Sequence, residues 1–393
     1  MGVRLTLRRR LQLWSLAFAV LAAGVLLGLS TGRRPARAEP IDPPGTVLTS
    51  MEAVLHRQGL AVALDSLERR AARDSSMLRD GHQMAHALGR EAVAAHGGDA
   101  SIIRECRPAF ASGCYHGVVE ASLHAAGRID MAALERLCVG VDSQGGPGPG
   151  YECIHGLGHG VLGAVGYDIG AALHDCDALS TARRAGSCHS GVFMEAITSA
   201  MSPSMPRGMP PHPAGHAHGG MPTVAMDSTD PYSPCRAFRD PYATSCWLFQ
   251  GFVILRRNGF DAARALRVCD HAPDGRAPRC YESVGHQLTG LFQQGDRWVL
   301  DQCARGRPDL AAHCAAGAVL ALDAMDWSGG RAARLCAAAP AEWMETCYRS
   351  AAGSLIDLAT AAQRTRFCAS VGPALVRGCR EAAELEEAEA PPH

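Results

Sequence analysis

The sequence predicts an all-α chain of tandem helical hairpins, winding into an α/α superhelix or toroid and stapled by about eight disulfides. Three observations carry this prediction. Hydrophobic residues make up 47% of the 393 residues and aromatics only 5%, with alanine and leucine dominant and few β-branched runs, which favours helix over strand. The cysteines fall into consecutive couples: Cys106 with Cys114, Cys138 with Cys153, Cys176 with Cys188, Cys235 with Cys246, Cys269 with Cys280, Cys303 with Cys314, Cys336 with Cys347, and Cys368 with Cys379. The last five couples are each eleven residues apart, and from Cys235 onward they recur every 32 to 34 residues, a tandem-repeat period.

Residues 1–38 read as an export segment. Arg4 and Arg8 to Arg10 precede an apolar run from Leu11 to Leu29, and Ala36-Arg37-Ala38 fits a signal-peptide cleavage site. Arg33 and Arg34, just past the apolar run, fit an uncleaved membrane anchor with its N-terminus inside. In either case the remainder is expected to be extracytoplasmic, whether periplasmic, secreted or anchored facing outward, and to touch a membrane only through this segment. Sixteen cysteines in an exported chain are expected to pair. All 38 basic residues are arginine, and removing residues 1–38 takes away seven of them and no acid, so the net charge passes from −1 to −8. A nucleic-acid backbone needs a basic face, so this balance argues against nucleic-acid binding.

Residues 39–50, with Pro40, Pro43 and Pro44, read as a linker. A cysteine-free hairpin follows to about residue 96, the repeat domain as a whole spans 51–385, and 386–393 form an acidic, Pro-ended tail expected to be disordered. In each period a first helix, such as Asp261 to Cys269, ends at the first cysteine. Pro273, Pro308, Pro340 and Pro373 then stand six or seven residues before the second cysteine, where proline can open a helix. Each disulfide is thus expected to staple the two helices of one hairpin. The period and the cysteine placement resemble the tetratricopeptide and Sel1-like helical-hairpin repeats, including disulfide-stapled ones, over roughly residues 50 to 380. The resemblance implies architecture, with a superhelix groove able to take a protein partner or peptide, and carries no function.

Between the third and fourth couples the period lengthens to 59 residues through a Met/His-rich loop at 201–226. Met201, Met205, Met209, His212, His216, His218 and Met221 alternate there with proline and glycine, which forbid regular structure. Thioether and imidazole together favour copper, Met preferring Cu(I); a low-complexity insertion is the plain alternative.

Four pairs of ligand-type side chains share one register. Two and six residues after the second cysteine stand His116 and Glu120, His155 and His159, and Glu282 and His286, while His82 and His86 keep the register after Asp80. On a helix these i, i+4 positions point the same way, about one turn apart, as helix-borne metal sites require. At about 100° per residue they face away from the hairpin partner, toward the inside of the superhelix. Copies without ligand types hold Leu248 and Phe252, or Ala316 and Leu320, so this inner face is expected to be buried. Buried polar groups without partners would each cost about 1–3 kcal/mol. A metal would remove that cost, as would a mutual hydrogen-bond network.

Six histidines and two carboxylates suit one or two transition-metal ions, with Cu or Fe favoured and Zn or Mn as alternatives, because the thiols are expected to be consumed by disulfides. Glu120 and Glu282 are candidate ligands or bases, and Glu195, with His189, stands one residue off register as a candidate base or outer partner. Glycines such as Gly117, Gly156, Gly158, Gly191, Gly285 and Gly317 mark either close helix packing or room for a ligand. C-x-x-C-H, H-E-x-x-H and G-x-S-x-G are absent. The function expected is that of an exported metalloenzyme of oxidase or oxygenase type, zinc-dependent hydrolysis being a variant. The alternatives are a periplasmic copper chaperone or buffer and a non-catalytic interaction scaffold.

Overall fold

The Ala/Leu-rich segments fold as helices wherever the chain is described. The structure, a computed structural model, describes residues 44–385 apart from 75–76, 127–128, 143–145, 202–226, 228 and 293–294. In order, the helices are α1 (Pro44–Gln58), α2 (Leu60–Ala71), α3 (Met77–Ala95), α4 (Gly113–Ala126), α5 (Met131–Asp142), α6 (Gly148–Ala164), α7 (Ile169–Cys176) and α8 (Ala182–Met201). They continue with α9 (Tyr242–Arg257), α10 (Ala262–Cys269), α11 (Ala277–Phe292), α12 (Asp296–Cys303), α13 (Ala311–Met325), α14 (Gly330–Ala338), α15 (Ala341–Leu358), α16 (Ala361–Ala369) and α17 (Val376–Ala382). No helix among the described residues is long and apolar enough to cross a membrane.

Short outer helices alternate with longer inner ones. Three of the outer helices start at side-chain caps: Asp168 and Asp261 accept from the backbone three residues on, and Thr360 forms a capping box with Gln363. All sixteen cysteines pair with their neighbours in sequence, as their spacing predicts, and none is free. Cys106 is bonded to Cys114, Cys138 to Cys153, Cys176 to Cys188 and Cys235 to Cys246. In the later repeats Cys269 is bonded to Cys280, Cys303 to Cys314, Cys336 to Cys347 and Cys368 to Cys379, and the Cα separations of all eight bridges lie between 5.3 and 5.6 Å. Each bridge ties the outer element to the first two turns of the inner helix. In the first and fourth couples that outer element is a 3₁₀ turn, Ala100–Glu105 or Cys235–Ala237, rather than an α-helix. A tyrosine after the second cysteine reaches back over several bridges. Tyr115 donates to the Cys106 carbonyl at 2.9 Å and Tyr281 to Asp270 at 2.7 Å. Eight disulfides belong to an oxidising, extracytoplasmic compartment.

Two expectations are corrected. The segment expected as linker up to residue 50 is helical from Pro44, because proline is tolerated at the first helical position and Val47, Met51 and Leu55 form a buried i, i+4, i+8 stripe. The N-terminal unit before the first cysteine is consequently three helices, α1 to α3, rather than a hairpin. Of the four prolines, only Pro340 caps its helix directly; Pro273, Pro308 and Pro373 stand in the preceding turn.

The inner helices pack in succession: α3 on α4, then α6, α8, α9, α11, α13 and α15. The row curls back on itself, since α15 returns to α6 and α11 touches α3. Arg183 at the start of α8 also pairs with Asp357 of α15 at 3.2 Å. Glycines make the close packing possible. A Cβ built on Gly117, Gly191 or Gly317 would overlap the carbonyl oxygen of His86, His155 or Glu282 on the preceding inner helix. Without side chains at those points the two backbones meet directly.

This predicts opposite effects for two Gly→Ala changes within helices. Gly317→Ala forces α13 off α11 and should lower stability by about 1–3 kcal/mol. Gly140→Ala, on exposed α5 with nothing near the new methyl, should raise it by about 0.5–1 kcal/mol. Urea unfolding of the oxidised protein reads both.

Candidate metal centre

Three consecutive inner helices bring five histidines together. His82 and His86 come from α3, His116 from α4, and His155 and His159 from α6. The glycine contacts set their spacing: Gly113 lies against the His82 carbonyl, Gly117 against that of His86, and Gly156 against the His116 Cα. His116 is the hub, its ring centroid 5.2 Å from that of His82, 5.9 Å from His86, 5.0 Å from His155 and 4.7 Å from His159. His86, His116 and His159 are buried, and each offers one ligand atom, all within 4.8 Å of one another, so this group could hold a metal ion.

The outer nitrogens of three of these rings are held. His82 Nδ1 lies 2.9 Å from the Phe110 carbonyl, and His159 Nδ1 lies 3.2 Å from Glu195 Oε2. Glu195 also accepts from Tyr167 at 3.1 Å and from Ser199 at 2.5 Å. His86 Nδ1 is 3.2 Å from Glu120 Oε2, while Arg90 Nη1 stands 2.6 Å from that nitrogen and donates to Glu120 at 2.9 Å. The ring can donate to Glu120 or accept from Arg90 but not both, and the first choice leaves Nε2 as a free lone pair. Carboxylate or carbonyl partners on Nδ1 are how metal-ligating histidines are oriented. The Nε2 atoms of His155 and His159 stand 3.2 Å apart. Metal–nitrogen bonds of about 2.0–2.1 Å place two tetrahedral ligands about 3.3 Å apart, so this spacing fits one coordination sphere.

His116 is the anomaly. It is 1% exposed, and neither ring nitrogen has a hydrogen-bond partner. The carboxylate facing it, Glu152 Oε2, is 3.8 Å from Nε2, too far for a hydrogen bond.

Burial sets the charge states. It lowers the His82 pKa to about 4 and drives His86, His116 and His155 well below the usual imidazole value, with Arg90 adding to the effect at His86. All four rings are therefore neutral at pH 7, the form that binds metals. Burial raises the Glu152 carboxyl to about 8. At Glu195 burial acts upward too, but hydrogen bonds and charge from His159, with Ser199 and Tyr167, carry it down to about 2.

The structure gathers only part of the predicted set. Glu282 and His286, on α11, line the same cavity but share no ion-sized group with the five histidines among the described residues. The Phe249 ring stands between, 6.3 Å from that of His155 and 5.9 Å from that of His286. Glu282 is engaged by Arg279 at 2.7 Å and His313 at 3.2 Å. Glu120 and Glu195 hold ligand rings. His189 lies apart, bonded to Asp177 at 2.9 Å and edge-on to Tyr242. Met201 ends α8, whereas Met205, Met209, His212, His216, His218 and Met221 lie outside the described residues. Sequence reasoning missed Glu152, Arg90 and Phe249. Arg90 carries a signal, standing one turn beyond His86 on the same face.

A cavity of about 670 Å³ opens beside the histidines, lined by α3, α4, α6, α8, α9, α11, α13 and α15. Compared with known proteins, the chain matches no family model, no curated protein and no solved structure.

His286 makes the pH dependence testable. Burial lowers its pKa from 6.5 to about 4, so the unfolded chain takes up the proton first as pH falls. Its contribution is full above pH 6.5 and lost between 6.5 and about 4. It is worth at most about 3 kcal/mol, less to the extent that cavity water reaches the ring. Urea midpoints of metal-free protein should fall across that window, and His286→Gln should flatten the fall; an unchanged slope means that His286 titrates normally.

Proposed function

We propose that this chain is an exported metalloenzyme of oxidoreductase type, which holds a transition metal on His86, His116 and His159 with His82 and His155 at the edge of the site. The supporting observation is His116, a fully buried imidazole with two unpartnered nitrogens among the rings of His82, His86 and His159, whose outer nitrogens are held. Leaving such a group unsatisfied costs about 1–3 kcal/mol per site, and a bound cation removes that cost at the one nitrogen it takes. With every described cysteine in a disulfide the donors are imidazole and carboxylate, a set that suits Cu or Fe and also accepts Zn or Mn. Bound there, a redox-active ion supplies one-electron and dioxygen chemistry.

The protein's own groups do the rest. Glu195 and Glu120 orient His159 and His86, Phe249 lines the cavity beside the site, and Glu282 on the facing wall, paired with Arg279 and His313, is our candidate for proton exchange with a bound molecule. Burial of the histidines favours a resident ion over one collected for delivery, so the enzyme reading is preferred to a copper chaperone or buffer. An interaction scaffold needs no such cluster.

Elemental analysis of protein exported and oxidised in its own compartment tests this. One or two ions per chain are expected in wild type and in His286→Ala. His116→Ala should lose them, as should the double variant His155→Ala with His159→Ala, and Glu195→Gln should bind about 10–100-fold more weakly. Wild type that arrives without metal and cannot be loaded with Cu, Fe, Zn or Mn ends the proposal.

A further inference from the structure

The cavity beside the histidines has two unlike arcs, and the repeat register produces both. The positions two and six residues after the second cysteine hold His116 and Glu120 in α4, and His155 and His159 in α6, but Leu248 and Phe252 in α9 and Leu320 at the sixth in α13, while α11 between those two keeps Glu282 and His286. Phe249, 5% exposed, and Met325 complete that apolar wall. A volume of about 670 Å³ is far beyond what a dioxygen or water molecule needs and lies in the range of sites for small organic ligands. Large side chains facing so wide a void gain their full burial only when something apolar fills it.

The charged groups around the cavity exclude several ligand classes. Arg279 is paired with Glu282, Arg183 with Asp357, and Glu195 with His159, Tyr167 and Ser199. Away from the histidine arc, where the ion proposed above would itself attract an anion and where Glu152 faces His116, a phosphate, a carboxylate or an amine would find no unmatched counter-charge among these residues. Neutral ligands remain, with an apolar body and at most one polar group for the histidine arc. Phe249 and Phe252, with the Met194 and Met325 sulfurs on the same lining, favour an aromatic body.

We infer that this cavity binds a small neutral aromatic alcohol or phenol, its ring against Phe249, Phe252 and Leu320 and its oxygen toward His116 and His159. The orientation of the oxygen rests on the metal reading above; the binding of the ring does not.

Fluorescence titration of the natively exported protein with 2-naphthol, and with naphthalene in parallel, tests the inference. Saturable binding of 2-naphthol is expected, at least tenfold tighter than that of naphthalene. Leu320→Trp and the milder Ala324→Leu fill the cavity from α13, and each should weaken both probes at least tenfold while metal content and helical circular dichroism stay at wild-type levels. The inference is overturned if 2-naphthol does not bind saturably, or if a folded, metal-replete filling variant binds it as wild type does. His116→Ala separates the two readings: it should keep naphthalene binding and lose both the metal and the preference for 2-naphthol. A wild type that binds both probes equally and carries no metal removes the metal centre but leaves the aromatic chamber standing.

Discussion

The interior of this protein depends on how closely two helix backbones can approach. Several inner helices meet the next where a glycine faces a carbonyl, and in four instances that carbonyl belongs to a residue in the repeated register: His82, His86, His155 and Glu282. The glycine three residues after the second cysteine and the ligand two residues after it are thus parts of one device. The first lets the next helix come near, and the second is carried inward by the approach. A methyl group at any of these points would widen the spacing between helices and with it the distances among the rings. The helix propensity lost at each glycine, up to about 1 kcal/mol, is offset by backbone contact and by closer packing of the side chains around it.

The disulfides act on the other side of each hairpin. They fix the short outer helices, which bury few large side chains and on their own would be marginal. The outer layer is held covalently, the inner layer by packing. Along the side chains that face the centre, a single register is polar in α3, α4, α6 and α11 and apolar in α9 and α13.

Much of this was legible in the sequence. Cysteine couples eight to fifteen residues apart, from Cys106 and Cys114 to Cys368 and Cys379, pair locally because the shortest loops close most readily, and the structure pairs them so. The i, i+4 register identified the five histidines that converge and the face that carries them. What depends on curvature was not legible. Nothing in the spacing tells how far the row of inner helices curls, so it could not be read that the Phe249 ring would stand near both His155 and His286, or that Glu152, next to Cys153, would turn toward His116. The start of α1 was hidden for a different reason. Pro43 and Pro44 read as linker residues, yet proline at the first helical position is compatible with the helix that follows.

The eight disulfides also impose an order of assembly. Before oxidation the chain carries sixteen thiols, softer donors than imidazole and better ligands for copper or zinc. A metal ion met at that stage would be held by pairs of cysteines at the hairpin bases, where it would block the bridges as well as miss the centre. Once the sulfurs are joined they no longer compete, and the imidazoles become the strongest donors in the described chain. On the metal reading proposed above, maturation would have one productive sequence, oxidation first and metal second, and a cell making this protein would have to keep free metal away from it until its thiols are gone.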